Sequence, residues 1–485
     1  MSKKIISIDQ GTTSSRAVVF SDKGELIGFE QMEFTQIFPN DGWVEHNPEE
    51  IWESVLKVLN KSIKRFDLAP SDIASIGITN QRETVVIWEK KTGRPIYNAI
   101  VWQDRRTSEF CESLKDEEEF IQKKTGLTVD PYFSASKVNW ILEHVEGARE
   151  RAERGELFFG TVDSFLIWKL TEGREHKTDA SNASRTMLYN IEINNWDKEL
   201  LSLFNVPPSL LPSVCDNSHD FGYTELFGGK IGIGGVAGDQ QSALIGQCCF
   251  DAGEVKSTYG TGCFMMINTG SDIIKSNNKL LSTIAYRIGG KTTYALEGSI
   301  FVAGSAIQWL RDGLNFFENA SESERIALKA NDNSQVIVVP ALTGLGAPYW
   351  DANARGAIFG LTRDTGVPEI TKAVLESVAY QTKDLLEAMQ KDNASFSSIK
   401  IDGGMVANNW FSQELSNVLE VAVSRPKIIE TTSLGVAYLA GMNAGVFDSF
   451  SSLKENWSVD REFEPKSSRN GYLKWKQAVN KILTD

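Results

Sequence analysis

The apolar positions of the chain fall first into a strand pattern. Ile5, Ile6 and Ile8 lead into a turn rich in Gly, Thr and Ser, Gly11-Thr12-Thr13-Ser14-Ser15, and a second apolar run comes next, Ala17-Val18-Val19-Phe20. Ser21-Asp22-Lys23-Gly24 turns the chain into a third extended run over 25–34, so the spacing predicts a β-meander. The period then changes. Ile51, Val55, Val58, Leu59 and Ile63 share one face of a helix, with Asn47 as N-cap, Pro48 at the first helical position and Glu50 placed to close a capping box. Strands over 73–79 and 99–102 end in Asn80-Gln81-Arg82-Glu83 and Gln103-Asp104-Arg105-Arg106. Polar clusters just past strand ends fit a site at the carboxyl edge of an α/β sheet. A helical stretch is expected over 134–170.

The pattern restarts near Gly246. A strand over 254–259, the turn Gly260-Thr261-Gly262 and a returning strand over 263–268 echo the first hairpin. A long amphipathic helix over 368–390 comes later, carrying Ile370, Val374, Val378, Leu385 and Met389, then a strand over 399–401 and the turn Asp402-Gly403-Gly404. Two halves of similar plan, joined without a Pro- or Ser-rich spacer, predict a bilobal α/β enzyme with a cleft.

Composition narrows the partners. The charge is 50 − 64 = −14 over 485 residues, which argues against non-specific binding of nucleic acid or anionic membrane. The longest apolar stretches, such as 336–342, are strand-sized and far short of a membrane span. Five scattered cysteines (Cys111, Cys215, Cys248, Cys249 and Cys263) form neither a disulfide framework nor a zinc pattern, and read as reduced thiols of a cytoplasmic protein. The four histidines show no metal spacing.

Several motifs bear two readings on their residues alone. The turn after Asp9 fits a cradle of backbone N–H groups for phosphate, or a polar hairpin. Asp9 at its strand end could hold Mg²⁺, or lie at the surface. Asp239, where a strand passes into a helical run, fits an N-cap, or a base accepting a proton from an attacking alcohol. Arg82-Glu83 fits a surface ion pair, or a clamp for neighbouring hydroxyls. Trp102, Tyr132 and Phe264 fit core, or walls against a carbon backbone. Gly232-Ile233-Gly234-Gly235-Val236-Ala237 matches a dinucleotide fingerprint, with Asp251 or Glu254 near the distance of a ribose-binding acid. It lacks a well-formed strand before it, so its glycines are expected to bring a buried strand close to its neighbours. No Walker A or protein-kinase pattern occurs.

Together the motifs resemble the FGGY carbohydrate kinase family, in its glycerol-phosphorylating bacterial branch. The resemblance rests on residues 9–16, 78–84, 102–103, 132–140, 237–241, 259–264 and 402–409, in that order, and runs from about residue 4 to about 475. It implies an actin-like (ribonuclease H-like) ATPase fold, with two similar domains around a cleft. The N-terminal domain, 1–248, would bind polyol and carry the first phosphate loop; the C-terminal domain, 249–485, would bind nucleotide. It also implies ATP, Mg²⁺ and glycerol as ligands, with sn-glycerol 3-phosphate as product. Asp239 falls at the family's general base. Arg82, Glu83, Tyr132 and Gln240 match the positions that hold the hydroxyls, and Trp102 and Phe264 the apolar wall. Thr12, Thr13, Ser14 and Arg16 match phosphate-side contacts; Thr261, Gly304, Gln308, Gly404 and Asn408 match nucleotide contacts; Asp9 matches the Mg²⁺ region. Homodimers or homotetramers are expected. Two controls known in relatives are not: the loop 228–232 has no Arg for fructose 1,6-bisphosphate, and 223–227 has no phosphorylatable His. Rival readings are a pentulose kinase of the same family, a non-catalytic actin-like nucleotide switch and, third, a dehydrogenase.

Overall fold

The computed structural model describes residues 3–351, 353–396, 398–466 and 471–484. Both expected domain ends, Met1 and Asp485, lie outside the described residues. The strands that build the two main sheets are β1 (Lys4–Gln10), β2 (Ser14–Ser21), β3 (Leu26–Glu33), β4 (Ile73–Asn80), β5 (Tyr223–Thr224), β6 (Ile231–Gly238), β7 (Val255–Tyr259), β8 (Cys263–Gly270), β9 (Leu281–Ile288), β10 (Lys291–Ile300), β11 (Ser398–Asp402), β12 (Ala422–Pro426) and β13 (Val459–Phe463). The helices that cover them include α1 (Pro48–Arg65), α2 (Asp239–Gly246), α3 (Val367–Lys391), α4 (Asn409–Leu419) and α5 (Thr431–Asn443).

The first sheet has the order β5-β6-β4-β1-β2-β3 and the second β9-β10-β8-β7-β11-β12-β13. In each, an antiparallel meander (β1-β2-β3; β7-β8-β10) adds two parallel strands (β4 and β6; β11 and β12). The two lobes therefore repeat one plan. The parallel registers decide where chemistry sits. Gln10, Asn80 and Gly238 stand side by side at the carboxyl ends of β1, β4 and β6. The chain continues from these three ends into Gly11-Thr12, Gln81-Arg82-Glu83 and Asp239 respectively. In the second sheet Thr258 pairs with Asp402, so the turns 260–262 and 403–404 emerge together.

The helices form where the apolar period demands. Val55, Val58 and Leu59 of α1 are buried, and α1 packs on β2 and β3. Asn47 caps it, accepting from Glu49 N at 3.0 Å. Glu50 does not close the expected capping box, because its Oε1 accepts instead from Thr35 N and Thr35 Oγ1, both at 2.9 Å. The stretch expected to be helical over 134–170 is broken into Ser134–His144, Ala148–Glu153, the strand Leu157–Gly160 and Val162–Leu170. Gly147 and Gly155 adopt positive φ, 68° and 70°, at the breaks. α3 matches its expected span to within a residue at each end.

The opposite face of the first sheet is covered by α5, which comes from the far end of the chain and packs on β6, β4, β1 and α2. Glycines make this approach possible. A Cβ on Gly435 would drive into the Ser242 carbonyl, and one on Gly246 into the Thr431 carbonyl. Gly235 of β6 likewise touches the Ala440 backbone and Gly234 the Asn443 side chain, so these two glycines of the false dinucleotide fingerprint serve close packing inside a strand, while a Cβ on Gly232 would meet open space. All five cysteines are buried free thiols. Among the described residues no helix is long and apolar enough to cross a membrane.

This packing makes a prediction. Gly435→Val overpacks a backbone-to-backbone contact between α5 and α2, and stability falls by about 3 kcal/mol. A thermal midpoint several degrees below that of the parent protein is the expected result; an unchanged midpoint would show that α5 can shift without cost.

Candidate active site

Two adjoining cavities, one lined from both lobes and the other from the second lobe alone, share Gly260 and Thr261. The smaller, about 180 Å³, is lined by Thr12, Arg82, Glu83, Trp102, Tyr132, Asp239, Gln240, Thr258, Phe264 and the 260–262 turn. All seven residues expected at the polyol site are therefore brought together. Three aromatic rings form its wall. Trp102 meets Tyr132 edge to face at 5.6 Å and Phe264 at 6.5 Å, and its Nε1 donates to Thr12 Oγ1 at 2.9 Å. Phe264 also faces the Arg82 guanidinium at 5.7 Å.

The polar half is built on a buried charge network. Arg82, 1% exposed, donates to both oxygens of Glu297, at 2.5 and 3.2 Å, and to Gln241 Oε1 at 3.2 Å. Arg185 bridges Glu83 Oε1 at 2.7 Å and Glu297 Oε1 at 2.9 Å. Arg82 Nε lies 3.1 Å from Asp239 Oδ1. Burial opposes ionisation of Glu297, yet Arg185 and Arg82 hold its carboxyl down at about 2. Burial likewise opposes the charge on Arg82, and the carboxylates of Glu297 and Glu83 outweigh it. Glu83 is shifted up by burial, against Arg82 and Arg185. Its backbone is left-handed, φ 62°, which aims the side chain into the cavity at the cost of local strain.

Asp239 opens α2. Its N-cap is Gly238, and the Asp239 carboxylate accepts from Gln240 N at 2.7 Å. The side chain remains 31% exposed to the cavity. Burial raises its pKa above the ordinary aspartate value, moderated by Arg82 and Lys256. Gln240 Oε1 accepts from Lys256 Nζ at 2.5 Å, and Lys256 also donates to Thr258 Oγ1 at 3.0 Å. Burial lowers the Lys256 pKa. Lys137, buried behind the wall, donates to the Tyr132 carbonyl at 2.6 Å.

The larger cavity, about 390 Å³, is lined by Thr261, Gly304, Gln308, Gly404 and Asn408, together with apolar Ile307, Leu375 and Met405. All five expected nucleotide contacts lie here. Gly304 N donates to the Gly260 carbonyl at 2.9 Å, tying the 260–262 turn to the next helix. Asn408 Oδ1 caps α4 through Phe411 N at 2.9 Å, while its buried Nδ2 has no partner among the described residues. A Cβ on Gly404 would meet open space. An orphaned donor beside an uncrowded glycine turn fits a ligand rich in acceptors.

The remaining expected residues, Asp9, Thr13, Ser14 and Arg16, line neither of these cavities. Thr13 is exposed at the hairpin tip, and Ser14 Oγ is buried, accepting from Gln31 at 3.1 Å. Arg16 pairs with Glu430 at 2.8 Å. Asp9 accepts from Ser433 Oγ at 3.1 Å, and burial pushes its pKa up to about 6 against the pull of Arg16. Among the described residues no cluster of three His, Cys, Asp or Glu side chains forms a metal cage. Magnesium is normally held by one or two carboxylates together with water and phosphate, which Asp9 suits.

Sequence reasoning missed Glu297, Arg185, Lys256 and Gln241. A signal existed for two of them: Glu297 follows the apolar run Tyr294-Ala295-Leu296, and Lys256 is the one charge in the strand-forming run 255–259, where burial demands a partner.

Comparison with known proteins agrees with this geometry. The model of the FGGY family of carbohydrate kinases, N-terminal domain, matches residues 4–246, and its C-terminal counterpart matches 255–444. The chain is 56% identical to a glycerol kinase of Alteromonas mediterranea, over 99% of both chains. It is 56% identical to a glycerol kinase of Ectopseudomonas mendocina, over 100% of both. Its structure is similar to the crystal structure of Plasmodium falciparum glycerol kinase with ADP, with a TM-score of 0.90 and 36% identity, covering 100% of this chain and 99% of that one. A ligand-bound xylulose kinase from Lactobacillus acidophilus shares the fold at a TM-score of 0.85 and 22% identity. With both of its halves matched in order and relatives alike over its full length, the chain belongs to the FGGY family of carbohydrate kinases.

Proposed function

We propose that this chain transfers the γ-phosphoryl group of ATP to a terminal hydroxyl of glycerol, yielding sn-glycerol 3-phosphate and ADP. The observation that carries the reading is the convergence of Arg82, Glu83, Trp102, Tyr132, Asp239 and Phe264 on one cavity of about 180 Å³, next to a nucleotide-sized one. The likeness to glycerol kinases over the full chain supports the choice of acceptor.

The chemistry follows from the site. Arg82 donates to, and Glu83 accepts from, neighbouring hydroxyls, while the rings of Trp102 and Phe264 cover the carbon chain. Asp239 takes the proton of the reacting hydroxyl as its oxygen bonds to phosphorus and the bond to the ADP oxygen breaks. The raised pKa of Asp239 suits a proton acceptor, and Arg82 at 3.1 Å keeps it ionised. The turns 260–262 and 403–404 present backbone to the nucleotide, and Asn408 Nδ2 offers it a hydrogen bond. Asp9 would hold Mg²⁺, which neutralises charge on the phosphates when bound. Walls supplied by both lobes exclude water, so closure of the lobes gates turnover.

Three outcomes are expected. In ADP-release assays with Mg-ATP, glycerol supports turnover and D-xylulose and D-ribulose do not; turnover with a pentulose alone would overturn the acceptor. Asp239→Asn lowers kcat by about 10²-fold or more, since removal of a general base costs that much. The pH profile supplies the third. The base must be ionised, and burial raises its pKa, so kcat/KM for glycerol falls as pH drops through a limb above the ordinary carboxylate value of about 4. Lys256 pulls that pKa down, so Lys256→Met moves the limb to higher pH; a limb that stays in place assigns it to another group.

A further inference from the structure

Beneath the polyol cavity lies a buried turn that touches neither ligand cavity. Asp179 precedes a single helical turn, Ala180–Ala183, and caps it. Asp179, Ser181 and Asn182 are each 0% exposed, and none lines either cavity. The donors around the Asp179 carboxylate are neutral. Oδ2 accepts from Ser181 N at 2.6 Å, Ser181 Oγ at 2.5 Å and Asn217 Nδ2 at 2.7 Å, and Oδ1 accepts from Asn182 Nδ2 at 2.7 Å. A carboxylate buried this deeply needs every one of those bonds, so the turn has one arrangement.

Two arms leave it. The first runs through Ser181. Its hydroxyl hydrogen goes to Asp179, so its lone pairs are left to accept from Gly238 N at 3.0 Å. Gly238 is the residue before Asp239 and the N-cap of α2. Asn217 reinforces this arm by donating to the Val236 carbonyl at 3.0 Å. The second runs through Asn182. Asn182 and Asn80 exchange amide bonds, both at 3.0 Å, and Asn80 Nδ2 also donates to the Gln81 carbonyl at 3.0 Å. That carbonyl belongs to the peptide entering Arg82, one residue before the left-handed Glu83.

We infer that Asp179, Ser181 and Asn182 are positioning residues that fix, from one buried turn, both the base Asp239 and the hydroxyl clamp Arg82-Glu83. The inference rests on the proposed roles of those three cavity residues. The reacting groups come from the ends of two different strands, β4 and β6, and the pairing of Gly238 with Asn80 sets only their backbones side by side. The turn supplies what the strand register leaves open: the angle at which each chain leaves the sheet. A displacement of about an ångström at the reacting group costs up to about 10²-fold in rate.

The two arms separate in kinetics. Ser181→Ala removes the acceptor for Gly238 N and loosens the base. Its kcat, expressed per ADP-binding site so that inactive protein is not counted, falls about tenfold, with glycerol KM held. Asn182→Ala loosens the clamp instead, and raises glycerol KM about tenfold while KM for ATP is unchanged. Asp179→Asn, which puts an amide donor among donors, shows both effects. Wild-type kcat and glycerol KM in Ser181→Ala and Asn182→Ala would overturn the inference, as would one shared pattern in both. Asp239→Asn run alongside separates the two failures. Its turnover collapsing while the other variants stay at wild type sinks only the role of the turn; its turnover persisting sinks the base assignment itself.

Discussion

Four charged groups with almost no exposed surface meet at the floor of the cleft, and the site depends on their balance. Arg82 and Arg185 face Glu83 and Glu297, two positive against two negative. Burying any one of them alone would cost several kcal/mol, and breaking a buried pair commonly costs about 3–5 kcal/mol. The set is tolerable only when complete. Its completeness also joins the lobes, because Arg82 lies just past a strand of the first sheet and Glu297 lies within a strand of the second. Glu297, saturated by both arginines, stays ionised and anchors Arg82, which leaves the Nε edge of Arg82 for Asp239.

Around that floor the repeated plan divides the labour. In both lobes the parallel strands deliver their chain ends to the cleft. In the first lobe these ends carry side-chain chemistry: an arginine, a glutamate and an aspartate. In the second lobe the ends of β7 and β11 carry glycine turns, whose Gly260, Thr261 and Gly404 line the larger cavity. The shared turn at Gly260 and Thr261 puts the two functions in contact without a connecting channel.

The sequence is most legible where local physics decides. The meander, α1 and α3 follow directly from apolar periods, and the Gly/Thr turns mark their own ends. The motif residues of both cavities are legible because the family's pattern is long and ordered. Glu50 escapes a local reading because its rival partner, Thr35, lies in a segment whose path the local pattern does not reveal. The stretch 134–170 escapes it because two glycines with positive φ outweigh an otherwise helical composition. Glu297, Arg185 and Asp179 stand outside the motifs, since their importance arises from partners about 40 to 215 residues away.

The glycine-lined seat of α5 bears on how the chain reaches its folded state. The face of the first sheet that α5 covers holds Ile5, Val18, Phe20 and Ala237, packed with Leu434, Val436 and Leu439 in one apolar cluster. During synthesis, the first lobe's strands are all made once residue 238 has emerged, yet half of that cluster's partners arrive some two hundred residues later. At about 5–20 residues per second, the nascent lobe would present an uncovered apolar face for at least ten seconds or so. Such a face is aggregation-prone until α5 covers it, so the two family domains, contiguous as they are in sequence, complete their packing together.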